Sequence, residues 1–200
     1  MHRIVLTGGP GAGKTVITHR LAAEHPDRFA LVPEAATHVY AVLQTRWDRL
    51  DAEGRRNVQR MIYRHQIEQE SRLAAAHPNK ILLLDRGTLD GAAYWPEGAA
   101  AYWQDLQTTH AAELNRYDAV LWLQTAAAIN IYDGDGSNAC RFEDRDSAIA
   151  SGEVLKTLWG SHPQFRTINA HPNLEDKFRE IRSALHEVFT WPTNLRTGPA

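Results

Sequence analysis

Eight consecutive residues, Gly8-Gly9-Pro10-Gly11-Ala12-Gly13-Lys14-Thr15, carry the strongest chemical signal in this 200-residue chain. They satisfy the pattern GxxxxGK followed by Ser or Thr, come directly after a short apolar run, and lead into a helix-compatible stretch through Ala23. A backbone without Cβ atoms can wrap closely around phosphate oxygens with its N–H groups turned inward, while the following helix adds a partial positive charge at its N-terminus. Lys14 contributes a mobile full charge and Thr15 a hydroxyl suited to Mg²⁺, with Val16 next in the helix. The implied chemistry is binding of a nucleoside triphosphate, ATP or GTP, together with Mg²⁺.

Phosphoryl transfer also requires charge neutralisation on the moving group, an acceptor held in line, and often a carboxylate near the acceptor hydroxyl. Lys80 to Asp85 is an apolar strand ending in a carboxylate, the arrangement in which an acid holds magnesium through its waters; a turn or helix-cap aspartate is the plainer reading of Asp85. Glu34 follows another apolar run and is the candidate base, unless it only favours the first turn of the next helix. Arg86 could ligate phosphates or simply pair with Asp90 four residues on, and Asp90 could orient the acceptor. Tyr132 to Arg145 places hinge-like glycines before Arg141 and Arg145, which suits a lid over the phosphates; pairing with Glu143, Asp144 and Asp146 is the alternative. Asn169 to Asn173 follow the fifth apolar run, a rim position where a nucleobase can pack, and Asn173 suits a helix cap.

Other patterns carry less. Arg56, Arg60 and Arg64 recur on one helix face and could meet nucleic acid or a lipid headgroup, but pairing with Glu53, Glu68 and neighbours is the simpler reading. Asp133, Asp135, Ser137 and Asp144 imitate a calcium loop, yet its sixth position is Asn138 instead of glycine and its last is not glutamate. The ten histidines show no metal-ligand spacing. A guanine-selecting NKxD string is absent, since Asn79-Lys80 runs on into Ile81-Leu82.

These residues need a scaffold that brings them to one edge. Apolar runs fit for buried strands occur at Arg3 to Thr7, Ala30 to Pro33, Ile81 to Asp85, Ala119 to Gln124 and Phe165 to Asn169, each followed by a helix-compatible segment. The longest such segment, Ala52 to Ala76, has an imperfect apolar stripe through Val58, Met61, Ile62 and Ile67. Fivefold alternation predicts an α/β three-layer sandwich, a five-stranded parallel sheet in the kinase-like order 2-3-1-4-5 with a lid segment. Ligands then bind at the carboxyl ends of the strands.

Composition agrees. A chain of 22.5 kDa with 43% hydrophobic and 23% charged residues suits one soluble domain, placed at 1–190, with 191–200 as a tail. A net charge of −2 argues against coating nucleic acid as the main task, and the single Cys140 excludes a disulfide framework or a multi-cysteine metal cluster. No apolar stretch suggests a signal peptide or membrane insertion, so a cytoplasmic protein is expected.

The set IVLTGGPGAGKT, VPEAA, LLLDRGTLDGAAYW, YDGDGSNACRFED and GSHPQFRTINAHPNLEDKF resembles a small AAA-type P-loop family. That family is related to the kinase domain of the bacterial nicotinamide-riboside kinase and regulator and to the N-terminal domain of TRPL translocation defect proteins. The resemblance spans about Ile4 to Val188 and is greatest to the second branch, described as binding nucleotide, including GTP, and phosphoinositide. It implies phosphate binding by Gly11, Gly13, Lys14 and Thr15, magnesium at Thr15 and Asp85, and an acceptor or phosphate role for Glu34, Arg86 and Arg141. Longer members of that branch carry a further domain past the point where this sequence stops, and no small helical domain of a ring ATPase is visible.

The function expected is Mg²⁺-dependent phosphoryl transfer from ATP or GTP to a small, nucleoside-like acceptor. A nucleotide-dependent switch acting on a protein or membrane partner is the alternative, and end phosphorylation of nucleic acid a third.

Overall fold

The computed structural model describes residues 2–131 and 145–188. The tail at 191–200, Arg141 and most of the expected lid lie outside those residues. Five strands form, β1 (Arg3–Thr7), β2 (Phe29–Val32), β3 (Ile81–Asp85), β4 (Ala119–Leu123) and β5 (Phe165–Ile168). The second starts and ends one residue earlier than its apolar run suggests. Pro33 has no N–H to give to a ladder, so the strand closes at Val32.

The strands pair in parallel in the order β2-β3-β1-β4-β5, the order the sequence predicts. Alternation divides the core into two layers. Ile4, Leu6, Leu83, Leu121 and Leu123 face α1 (Lys14–Glu24) and α7 (Leu174–Val188), through Ile17, Leu21, Phe178, Ile181 and Leu185. Val5, Leu82, Leu84 and Val120 face the opposite way, onto Tyr117 and Trp159. Trp159 closes α6 (Arg145–Trp159), and α4 (Ala99–Asp105) and α5 (His110–Leu114) lie between β3 and β4.

Two helices build the far side of the site. Helix α2 (Ala35–Leu43) packs against α3 (Ala52–Ala76), whose N-terminus is capped by Asp51 accepting from the Gly54 N–H at 2.7 Å. At 25 residues α3 is about 37 Å long. A strand of five residues covers only about 17 Å, so the helix must overhang the sheet. Its later residues Leu73 and Ala74 pack on the core, and its earlier turns reach over the strand ends.

The arginine face of α3 is engaged by acids. Arg56 pairs with Glu53 and Glu97, and Arg60 with Asp105 at 2.6 Å and Glu53 at 3.4 Å. Two partners come from outside the helix, a placement the local sequence does not show. No helix among the described residues is long and apolar enough to cross a membrane.

Candidate functional site

Strands β1 and β3 are neighbours, with Leu6 in register with Asp85, and their onward connections run to opposite sides of the sheet. This is the topological switch point, where ligands bind in open α/β sheets. The loop after β1 and the carboxylate ending β3 are thus placed together by topology alone.

Gly13 caps α1 at φ 84°, a left-handed conformation that glycine adopts without a Cβ penalty. Gly9 is needed for space, because a Cβ there would lie 2.4 Å from the Ala148 carbonyl oxygen and 3.2 Å from the Gly152 nitrogen of α6. Lys14 is buried, with Nζ donating to the carbonyls of Gly8 at 2.8 Å and Gly9 at 2.9 Å. Burial, followed by repulsion from Arg86, lowers its pKa to about 7.

Thr15 donates its hydroxyl to Asp85 Oδ2 at 2.6 Å. The other carboxylate oxygen, Oδ1, is buried without a hydrogen-bond partner. Burial, then the nearby Glu34 charge, raises the pKa of Asp85. An orphaned, desolvated carboxylate oxygen beside a hydroxyl is a donor set that a hard divalent cation would satisfy.

Arg86 has φ 78°, costing about 1–2 kcal/mol for a residue with a Cβ. Its backbone is held on both sides: its N–H donates to Leu6 O at 3.0 Å, and its carbonyl accepts from Gln66 Nε2 at 3.3 Å. The side chain thereby reaches Glu34, with Nε to Oε1 at 2.6 Å, and Asp90, with NH1 to Oδ2 at 3.0 Å. Glu34 precedes α2 and makes no side-chain cap, accepting instead from the Thr37 hydroxyl at 2.6 Å. Burial pushes its pKa up, but Arg86, Thr37 and Lys14 outweigh that and bring it to about 2.

Asp90 accepts from the Thr7 hydroxyl at 3.0 Å and from the Trp159 indole N–H at 2.8 Å, besides Arg86. With its lone pairs so occupied, it serves as an anchor for Arg86. The pair of Arg86 with Asp90 forms as its spacing suggests, and the same side chain lines the cavity at this edge of the sheet.

A cavity of about 250 Å³ opens from this cluster. Pro10, Lys14, Thr15, Glu34, Arg86 and Asp90 line one part, and Tyr40, Trp47, Tyr63, Tyr94 and Tyr102 line another. Trp47 and Tyr94 meet edge to face at 5.9 Å between centroids. Gln59, Ile62, Tyr63 and Gln66 come from one face of α3. Ile62 belongs to the apolar stripe read from the sequence; Gln59, Tyr63 and Gln66 were missed, although a spacing of three, four and seven marks a single helical face. The glutamines on it are what make the apolar stripe imperfect.

Other expected site residues do not line this cavity. Arg145 donates from Nε to the Ala127 carbonyl at 3.0 Å, at the start of α6. Asn169 gives its N–H and Nδ2 to Glu180, at 3.2 Å and 3.1 Å. Val16 is 55% exposed beside Thr15. Asn173 accepts from the Asp176 N–H at 2.8 Å, the expected cap of α7.

Sheet order, phosphate loop and switch-point carboxylate together define a P-loop NTPase of kinase-like architecture. Residues 3–177 match the AAA domain family, and the chain belongs to it. Two solved structures share the fold. One is the NadR protein in complex with NAD and AMP-PNP, 16% identical with a TM-score of 0.65; the other is NadR in complex with NR, 15% identical with a TM-score of 0.67. Each alignment covers 95% of this chain and 50% of the NadR chain, so the chain spans half the length of these relatives. No curated protein matches the sequence.

Proposed function

We propose that this protein is a Mg²⁺-dependent P-loop kinase that moves the γ-phosphoryl group of ATP or GTP to a hydroxyl of a small, nucleoside-like molecule. The observation that carries the reading is the continuous cavity running from Lys14 and Thr15, past Glu34 and Arg86, into the aromatic wall. A donor and an acceptor can meet there with the transfer line between them. The NadR neighbours, one bound to NAD and AMP-PNP and the other to NR, support a nucleotide donor and a small acceptor.

Thr15 would hold the metal directly and Asp85 through its waters; when bound, Mg²⁺ neutralises charge on the β- and γ-phosphate oxygens. The loop amides and Lys14 would grip the same phosphates. Arg86, fixed by Asp90, would face the charge on the group in transit. Glu34 would orient the acceptor hydroxyl and take its proton. Its low basicity is tolerable, because a loose transition state needs little deprotonation before the bond to phosphorus forms.

The test is turnover of ATP and GTP with Mg²⁺, alone and with pooled nucleosides, nucleotides, sugars and oligonucleotide ends, followed by mass analysis. A product heavier by one phosphoryl group names the acceptor. Tight nucleotide binding without transfer to any member overturns the kinase in favour of a switch, and phosphorylated oligonucleotide ends would replace the small acceptor.

A further inference from the structure

Gln59 is only 4% exposed, yet it lines the cavity, and among the described residues no hydrogen-bond partner engages its carboxamide. Gln66, two turns later on the same face, is spoken for: its Nε2 donates to Glu70 Oε1 at 3.1 Å and to the Arg86 carbonyl at 3.3 Å. The two glutamines thus do different work. A carboxamide that faces a cavity without a protein partner is free to hydrogen-bond whatever enters, water or a ligand.

We infer that Gln59 reads the acceptor, and that the acceptor is a nucleoside-like molecule whose planar ring presents an amide-type edge. This deepens the kinase reading and rests on it for the word acceptor. A carboxamide offers one donor and one acceptor side by side, complementary to a ring edge that carries the reverse pair. The neighbouring walls suit a flat ring, since Tyr63 and Tyr102 stand edge to face at 6.3 Å and Trp47 and Tyr94 line the same cavity. Spacing fits as well. Seven helical residues separate Gln59 from Gln66, which touches Arg86, and that rise is about 10 Å. A ribonucleoside is of comparable length from its 5′-hydroxyl to the far edge of its base. A 5′-hydroxyl beside Glu34 and Arg86 would leave the ring to reach along the same cavity toward Gln59.

Gly91 keeps room for this amide. A Cβ there would lie 2.4 Å from the Tyr102 hydroxyl and 3.1 Å from Gln59 Oε1. The Tyr102 hydroxyl is itself fixed on the Thr88 carbonyl at 3.0 Å, so it cannot yield freely.

The experiment measures binding by calorimetry in the presence of Mg²⁺ and AMP-PNP, apart from turnover. Inosine, uridine and adenosine are compared with purine riboside and pyrimidin-2-one riboside, whose rings lack the paired edge, and with ribose. The wild-type protein is expected to bind at least one edge-bearing nucleoside about 10- to 100-fold more tightly than its edge-less counterpart. In Gln59→Leu, and in the shape-conserving Gln59→Glu, that preference should fall to within about threefold while AMP-PNP still binds as a sign of folding. Equal binding of matched nucleosides, no nucleoside binding, binding of ribose as tight as any nucleoside, or a preference that survives both substitutions would overturn the inference. Selective binding through Gln59 without phosphorylation would instead remove the kinase reading and leave the binding site standing.

Discussion

Lys14 is poised between two charge states, because burial among protein atoms opposes its proton and Arg86 repels it, while phosphate would restore it. With a pKa of about 7 it is mostly neutral at pH 8 and mostly charged at pH 6. Nucleotide binding at pH 8 should therefore take up close to one proton, and at pH 6 almost none, as read by calorimetry in buffers of different ionisation enthalpy. Absence of uptake at pH 8 would show that the lysine keeps its proton throughout. The same shift has a sign for folding. Between about pH 7 and 10.5 the native state holds fewer protons at Lys14 than the unfolded chain, so this residue's contribution to stability becomes more favourable as pH rises. Glu34→Gln should lower phosphoryl transfer by about 10²- to 10⁴-fold and spare nucleotide affinity, as steady-state kinetics beside direct binding would show. Wild-type turnover would remove Glu34 from the role of base. At this scale Lys14, Thr15 and Asp85 could be read from a short string and a strand end, and the Arg86–Asp90 pair from its spacing. The Glu34–Arg86 contact joins residues 52 apart, so only the folded sheet displays it.

Among the elements, α6 lies directly against the phosphate loop. Gly9 sits beneath the Ala148 carbonyl, Trp122 Nε1 donates to the Gly152 carbonyl at 2.8 Å, and Trp159 at the other end reaches Asp90. A methyl group at Gly9 has backbone on its far side and no flexible side chain to displace. Gly9→Ala should cost about 1–3 kcal/mol, visible as a lower denaturation midpoint, and should weaken nucleotide binding through the displaced loop. A wild-type midpoint would show that α6 can withdraw freely. The strands were legible because each is a short apolar run bounded by turn-formers. Helix α3 was legible in extent, matching Ala52 to Ala76, but not in purpose. Buried Gln59 and Gln66 weaken the pattern by which buried faces are recognised, and what justifies them lies largely outside the helix: the cavity for Gln59, and for Gln66 the Arg86 carbonyl in the turn after β3.

For the molecule as a whole, ligand binding and stability are one equilibrium. A nucleotide held at 100 times its Kd adds about 2.7 kcal/mol, and a domain of this size gains about 2–4 °C per kcal/mol. AMP-PNP with Mg²⁺ should therefore raise Tm by about 5–11 °C, and EDTA should remove part of the gain. An identical rise with and without EDTA would argue that Asp85 and Thr15 hold no metal. Alternation of strand and helix made the layered sheet and its order legible, and with them the rim where the site lies. The aromatic cavity was not, since Tyr40, Trp47, Tyr63 and Tyr94 come from four separate stretches that meet only when α3 overhangs the sheet.

That overhang separates two duties by chain segment. The residues expected to grip a triphosphate lie on the loop and helix after β1 and at the end of β3, whereas most of the opposite wall comes from α2, the front half of α3 and the turns at 47–49 and 88–94. In the proposed kinase, substitutions along one helix face would therefore change what is accepted and leave the residues that grip the phosphates in place. Grafting the stretch from 35 to 66 between relatives would exchange specificity as a cassette, with the phosphate loop left as common stock.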